Sequence, residues 1–348
     1  MLFLFLWWSI KIDSILFFDF VKEKVRIPNE AVGKLAFQRR VQVYCSIGAK
    51  SLMLSCKTTR KEYIYLQFSY CYDIMKTKLQ GEIAMKKIKF LFAFIILSVL
   101  GMCYAGYSFA WGPFGFLDRV RLANIPGNAD EYNMDSVEPL ENSPLEGKKV
   151  LFLGSSVTFG SASLQQGIPE YFGVRFGCEY TKEAVSGTTL VDNGESSYVQ
   201  RILNNVDKNE HYDLVICQLS TNDATRGLPL GKISPSKELS SFDTSTIIGA
   251  IEYIICYAKE TWGCDVMFYT GSRYESDAYS KMVESIFDIK EKWGIGVIDL
   301  WSGDDFNSIS DSNRAFYMND DIHPTKVGYR DWWCPEMERQ ILDFYFEK

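Results

Sequence analysis

Histidine is nearly missing: in 348 residues only His211 and His323 carry an imidazole. The nine cysteines form no CxxC pair and no cluster of histidines stands at metal-ligand spacing, so a zinc site is excluded and no metal is expected. The stretch GSSVTFG over Gly154 to Gly160 is not followed by Gly-Lys-Ser/Thr, which excludes a phosphate-cradling loop, and no cofactor is expected. A surplus of basic residues is confined to 1–84. With a formal net charge of -7 for the whole chain, the remainder is strongly acidic, which excludes nucleic acid as a partner. Five cysteines (Cys178, Cys217, Cys256, Cys264, Cys334) lie in the C-terminal region, an odd number for a disulfide framework. Cys217, inside an apolar run, reads as a small buried hydrophobe, and a Cys256–Cys264 bridge stays open.

What is present is apolar: 47% hydrophobic and 15% aromatic residues, enough for one sizeable core plus extra segments. From Met85 the chain reads Lys86, Lys87, Ile88, Lys89 and then runs uncharged from Phe90 to about Trp111. Lysines ahead of such a run keep that side cytoplasmic and put everything after it outside. Residues 85–111 therefore read as a signal peptide or a single transmembrane anchor, with membrane association through 90–111. The expected location is extracytoplasmic, secreted or anchored to the outer face of the cytoplasmic membrane. A secretion signal at an internal methionine leaves residues 1–84 as an N-terminal extension, mis-extended or disordered, with Met1 to Phe20 as a competing membrane-interacting stretch. Residues 112–147, rich in Gly, Pro, Asn and acidic side chains, read as a linker. The catalytic domain is expected over 148–348.

Within that region Lys149 to Leu153 (KVLFL), Asp213 to Leu219 (DLVICQL), Asp265 to Tyr269 (DVMFY) and Gly296 to Leu300 (GVIDL) are continuous apolar runs. Runs of this kind mark strands buried on both faces of a parallel sheet. Tyr180 to Val185, more polar, fits an edge strand. Between them Ile247, Ile251, Ile254, Ile255 and Ala258 share a helix face, started by an Asp243-Thr244 cap and stopped by Gly263. Met282, Val283, Ile286 and Ile289 share another, closed by Gly294. Strand and helix in alternation give an α/β/α sandwich, whose ligands bind beyond the carboxyl ends of the strands.

The loops at those ends carry Gly154-Ser155-Ser156, Ser186-Gly187, Ser220-Thr221-Asn222-Asp223 and, before the last helix, Asp320-Asp321-Ile322-His323-Pro324. A serine hydroxyl attacks only when a neighbouring base takes its proton. His211 sits on the polar approach to the third strand, the wrong end for the site, so His323 is the base that the residues allow. Asp320, three residues earlier, is placed to take the other imidazole N–H and fix the tautomer. Pro324 holds His323 extended and can open the next helix.

These four segments, in this order, resemble the SGNH hydrolases, the GDSL-type lipase and esterase family, over about Lys148 to the C-terminus. The resemblance implies a three-layer α/β/α sandwich with a parallel, flavodoxin-like five-stranded sheet. It also implies a serine esterase or acylhydrolase that cleaves an O-acyl ester through an acyl-enzyme. By position Ser156 matches the nucleophile, Gly187 and Asn222 match oxyanion-hole donors, and Asp320 and His323 match the Asp-x-x-His pair. The N–H of Ser156 completes the expected oxyanion hole with the N–H of Gly187 and the Asn222 amide. Ser155 stands where the first motif usually has Asp, and Ser220 where the third usually has Gly; neither replaces a group that performs bond chemistry.

An extracytoplasmic position and the lack of a lid-like apolar insertion favour a short acyl group on a carbohydrate or cell-envelope ester, so the expected partner is a small-molecule or carbohydrate ester. An O-acyltransferase using the same triad and an inactive carbohydrate-binding module are the alternatives. Trp301, Trp332 and Trp333 either line a sugar-binding face or complete the core.

Overall fold

Each apolar run of the C-terminal region becomes a strand because both of its faces are covered. A computed structural model describes residues 43–48, 51–57, 63–67, 69–109 and 111–346. The chain divides into two compact units, Met1–Leu97 and Ser98–Lys348. In the first, β1 (Val43–Gly48), β2 (Ser51–Lys57) and β3 (Tyr63–Gln67) pair as an antiparallel meander, for which the sequence carries no periodic signal. The stretch Met1 to Phe20 lies outside the described residues. A long helix, α1 (Ser69–Phe109), includes 32 residues from Lys78 to Phe109 that are long and apolar enough to cross a membrane, and its apolar window is unburied.

The second unit includes α2 (Phe116–Ala123) and then builds a five-stranded parallel sheet from β4 (Lys149–Gly154), β5 (Glu179–Ala184), β6 (Leu214–Gln218), β7 (Asp265–Tyr269) and β8 (Gly296–Ile298). The spatial order is β5-β4-β6-β7-β8, so the polar strand is at an edge, as its composition predicts. Side chains alternate between two cores. Leu151, Leu153, Val215, Cys217, Val266 and Phe268 face one layer, while Val150, Phe152, Leu214, Ile216, Met267 and Tyr269 face the other. That two-sided burial is why the strands lack the polar alternation of a half-exposed sheet.

Helices α3 (Ser156–Phe159), α4 (Ile168–Phe176), α5 (Tyr198–Asn204), α6 (Thr221–Thr225), α7 (Ile247–Trp262), α8 (Asp277–Trp293), α9 (Asp304–Asn307), α10 (Asp311–Tyr317), α11 (Lys326–Gly328) and α12 (Cys334–Phe346) complete the layers. The first core joins α5, α7 and α8 to the sheet, and the second joins α4 and α12. Gly263 and Gly294 end α7 and α8 in the left-handed region, as expected, but α7 starts later than Asp243-Thr244: Thr246 is its cap, accepting from the Gly249 N–H at 3.2 Å.

The stretch 112–147, expected as a linker, is folded against the domain. Met134 and Leu145 are buried in the second core, Leu122 is buried as well, and Asn128 is buried with hydrogen bonds at both ends of its amide. Its few apolar side chains are spaced by turns rather than by one period, so composition hides the packing. Cys103, Cys178, Cys217, Cys256, Cys264 and Cys334 are all free thiols, so Cys256 and Cys264 form no bridge.

Candidate active site

The sheet order reverses direction at β4, since β5 lies on one side of it and β6 on the other. The loops that leave the carboxyl ends of these three strands therefore converge on one crevice. After β4 the chain turns sharply into α3. A Cβ on Gly154 would stand 1.7 Å from Thr158 Oγ1, so only glycine permits the turn. Gln218, the last residue of β6, braces the turn from beneath. Its Oε1 accepts from the Ser155 N–H at 2.8 Å, the Ser155 hydroxyl at 3.2 Å and the Thr158 hydroxyl at 3.0 Å. Ser155, where the family pattern has Asp, is thus a buried link to the neighbouring strand. The Tyr329 hydroxyl donates to Val157 O at 2.7 Å and ties α3 to the C-terminal helices.

Ser156, the first residue of α3, is 8% exposed. Its Oγ lies 2.7 Å from His323 Nε2, and His323 Nδ1 lies 2.9 Å from both Asp320 carboxylate oxygens. The loop holding that pair closes on itself: Met318 and Pro324 form an antiparallel bridge, the Asn319 N–H donates to His323 O at 2.9 Å, and the Thr325 N–H donates to Tyr317 O at 2.8 Å. Inside it, Asp320 Oδ1 also accepts from the backbone N–H groups of Ile322 and His323, each at 2.9 Å. Burial pushes the Asp320 pKa up, but the hydrogen bond and charge of His323 and those two N–H groups outweigh it, so the carboxyl sits well below its ordinary range. The helix after the loop begins two residues later than Pro324 suggests, because Thr325 is the cap of α11. His211 is exposed beside Asp213 at the start of β6, the far end of that strand.

The third wall comes after β5. Thr188 N–H closes a turn on Val185 O at 3.4 Å, and Gly187 takes φ +79°, a conformation suited to glycine at the third position of a type II turn. Arg226 Nη2 donates to Gly187 O at 2.6 Å. Among the described residues neither the Ser156 N–H nor the Gly187 N–H has an acceptor outside helices and strands. Asn222, on α6, donates through Nδ2 to Thr188 O at 2.9 Å, which engages one of its two amide hydrogens. The structure thus joins Ser156, His323 and Asp320 in one hydrogen-bonded line and brings Gly187 and Asn222 together at Thr188.

Two buried groups that sequence reading does not single out hold these walls. Asp223 accepts from the Leu190 N–H at 2.8 Å and the Val191 N–H at 3.0 Å, pinning the loop after β5 to α6. Burial pushes its pKa up, against the pull of hydrogen bonds from Ser220, Val191 and Leu190. Arg201, 2% exposed on α5, donates to Gly154 O at 2.7 Å, Thr188 Oγ1 at 3.2 Å, Glu183 O at 2.8 Å and Ser196 O at 2.9 Å. One guanidinium therefore spans the ends of β4 and β5 and the loop that bears Gly187. Asp223 was visible only as the neighbour of Asn222, and Gln218 only as a polar stop in an apolar run; Arg201 has no local signature.

Trp301, Trp332 and Trp333 are buried: Trp301 packs on Tyr274 and Tyr279, and Trp332 stacks on Phe306 and Tyr317. They complete the core. A depression lies beside the site, with Val157, Gln218, Thr221, Ser272 and Ile322 in its lining.

The family model described as GDSL-like Lipase/Acylhydrolase matches residues 152–330. No curated protein matches the chain. Among solved structures the chain is similar to a protein from Lactobacillus plantarum (18% identity, 58% of this chain and 98% of that one, TM-score 0.45). A candidate GDSL-like lipase from Bacteroides ovatus is also similar (16% identity, 58% and 100%, TM-score 0.42). A third is a family two carbohydrate esterase from Clostridium thermocellum, solved with cellohexaose (14% identity, 60% and 66%, TM-score 0.41).

Proposed function

Since the chain belongs to the GDSL-like lipase/acylhydrolase family, the SGNH hydrolases, and is an ester-hydrolysing enzyme, we propose that Ser156, His323 and Asp320 are its catalytic triad. In this reading Ser156 Oγ attacks the ester carbonyl while His323 Nε2 takes the hydroxyl proton. The tetrahedral oxyanion is met by the N–H groups of Ser156 and Gly187 and by the free amide hydrogen of Asn222. Collapse expels the alcohol, which takes the proton from His323, and leaves an acyl-serine; water, activated by the same imidazole, then releases the acid. Asp320 stays ionised throughout, holds the ring tautomer and stabilises the imidazolium.

The observation that carries the reading is the continuous line from Ser156 Oγ through the His323 ring to Asp320, at 2.7 and 2.9 Å. The substrate we propose is a short O-acyl group on a carbohydrate or cell-envelope component outside the cytoplasmic membrane. Two features support it. The sequence from Lys148 onward carries no long apolar insertion of the kind that covers a long-chain lipid site. The apolar stretch within Lys78–Phe109, with lysines ahead of it, suits a chain whose downstream domain is exported.

The test is hydrolysis of p-nitrophenyl acetate and of acetylated sugars by the full chain beside Ser156→Ala. Turnover is expected to vanish in the variant and to fall as the acyl chain lengthens from acetyl to octanoyl. Turnover that survives Ser156→Ala refutes the triad; faster release with an added sugar acceptor, with transfer product formed, shows an acyltransferase instead.

A further inference from the structure

The segment between the apolar helix and the first strand of the sheet precedes the family-matched region, yet it grips the loop that carries His323 at both stems and at Asn319. Just inside the Met318–Pro324 bridge, Arg121 on α2 donates from Nη1 to Asn319 Oδ1 at 2.9 Å, and Asn319 Nδ2 donates to Asp320 Oδ2 at 3.1 Å. Arg121 is itself oriented by Asp118, which accepts from its Nε at 2.9 Å and its Nη2 at 2.7 Å. At the stems, Asn128 Oδ1 accepts from the Lys326 N–H at 2.9 Å, while its Nδ2 donates to Leu122 O at 3.0 Å and Ala162 O at 2.8 Å. Gly127 lies so close that an added Cβ would meet Phe316 O at 2.4 Å and Thr325 Oγ1 at 2.6 Å. The ring of Tyr132 packs edge-on against Phe316 at 5.7 Å.

We infer that residues 116–134 are a positioning element for the reaction, with Arg121 setting the carboxylate of Asp320 through Asn319; the inference rests on the triad proposed above. Asn319 is the hinge of the argument. Its backbone N–H holds His323 O from inside the loop, and its side chain is clamped from outside by Arg121, so one residue registers the loop against a helix nearly 200 positions earlier. Asp320 is half exposed and has no other side-chain donor than His323 and Asn319 among the described residues. Without the clamp the carboxylate keeps the backbone N–H groups of Ile322 and His323 on Oδ1 but loses the Asn319 amide on Oδ2, which loosens its hold on the imidazole aimed at Ser156. Arg121 touches neither substrate nor reacting atoms; it is a positioning residue. Helix α2 and the chemistry are thereby mechanically joined.

The test uses the full chain and measures kcat and KM for p-nitrophenyl acetate, the rate of serine labelling by a fluorophosphonate, and the melting temperature. Arg121→Gln and Asn319→Ala are each expected to lower kcat and the labelling rate by about fivefold to twentyfold. KM should stay within about twofold and the melting temperature within a few degrees. The double variant is expected to be no slower than the worse single, because both break one path; Arg121→Lys, which keeps one donor, is expected to recover most of the rate. Unchanged kcat and labelling in Arg121→Gln, or losses that multiply in the double variant or track the melting temperature, overturn the inference. If Ser156→Ala still hydrolyses or is still labelled, or the wild-type chain does neither, the triad reading itself fails instead.

Discussion

Replacing Asp320 by asparagine removes one charge and little volume, so its effect isolates what the carboxylate does for His323. In the proposed mechanism the imidazole takes the serine proton, and a positive ring forms with Asp320 oxygens 2.9 Å from Nδ1. Two unit charges about 4 Å apart are worth about 4 kcal/mol at the effective dielectric of a protein surface and about 1 kcal/mol in bulk water. The Asp320 side chain is 48% exposed, so solvent screening puts the interaction between those limits, at about 2 kcal/mol, or roughly thirtyfold in kcat. The asparagine amide can also offer an N–H to Nδ1 and so favour the wrong tautomer, which in a fully buried triad raises the loss to about ten thousandfold; the half-open site here sets the expectation at roughly thirtyfold to a thousandfold, with KM nearly unchanged. Steady-state hydrolysis of p-nitrophenyl acetate by wild type and Asp320→Asn at pH 7 measures it. A kcat within threefold of wild type, or a loss carried entirely by KM, refutes the assignment. The same carboxyl gives a pH signature in stability. Its folded pKa lies below its unfolded value near 3.9, so it stabilises the fold above about pH 4 and loses that contribution as pH falls toward its folded pKa. The melting-temperature gap between wild type and Asp320→Asn is therefore expected to be full at pH 7 and to shrink below pH 4.

Asn222→Ala is expected to lower kcat about a hundredfold or more with little change in KM, because it removes one oxyanion donor worth roughly 3–4 kcal/mol; an unchanged kcat takes Asn222 out of the hole. Gly154→Ala is expected to yield inactive or poorly folded protein, since the new Cβ would sit 1.7 Å from Thr158 Oγ1 and 3.0 Å from Gln218 Oε1. A soluble variant with wild-type circular dichroism and activity would contradict the geometry drawn for the turn into α3.

Much of this molecule was legible before folding. The four core strands stand out because a strand covered on both faces has no polar period to interrupt it, and Gly263 and Gly294 mark helix ends because only the left-handed backbone completes those caps. The meeting of Ser156, Asp320 and His323 in one hydrogen-bonded line was legible because each sits where a strand end or a short loop leaves few alternatives, and because the chain owns just two imidazoles. What could not be read depends on distance. Arg201 reaches Gly154 across 47 positions, and Arg121 reaches Asn319 across 198. No periodicity encodes such contacts, since they exist only once the sheet has been assembled. Residues 112–147 misled for a related reason: their polar, turn-rich composition suits a tether, while their attachment to the domain is made largely by three buried apolar side chains, one asparagine and backbone groups.

The closure of the 318–324 loop gives the site an asymmetric tolerance to motion. In the proposed triad, base and orienting carboxylate ride on one short ring of chain, so thermal displacement carries them as a unit, whereas the gap to the hydroxyl crosses between separate pieces of the protein. On that reading, breathing of this domain is expressed as intermittent loss of nucleophile activation while base and carboxylate stay paired. An inhibitor that wedges between ring and hydroxyl has to work against a single rigid cassette.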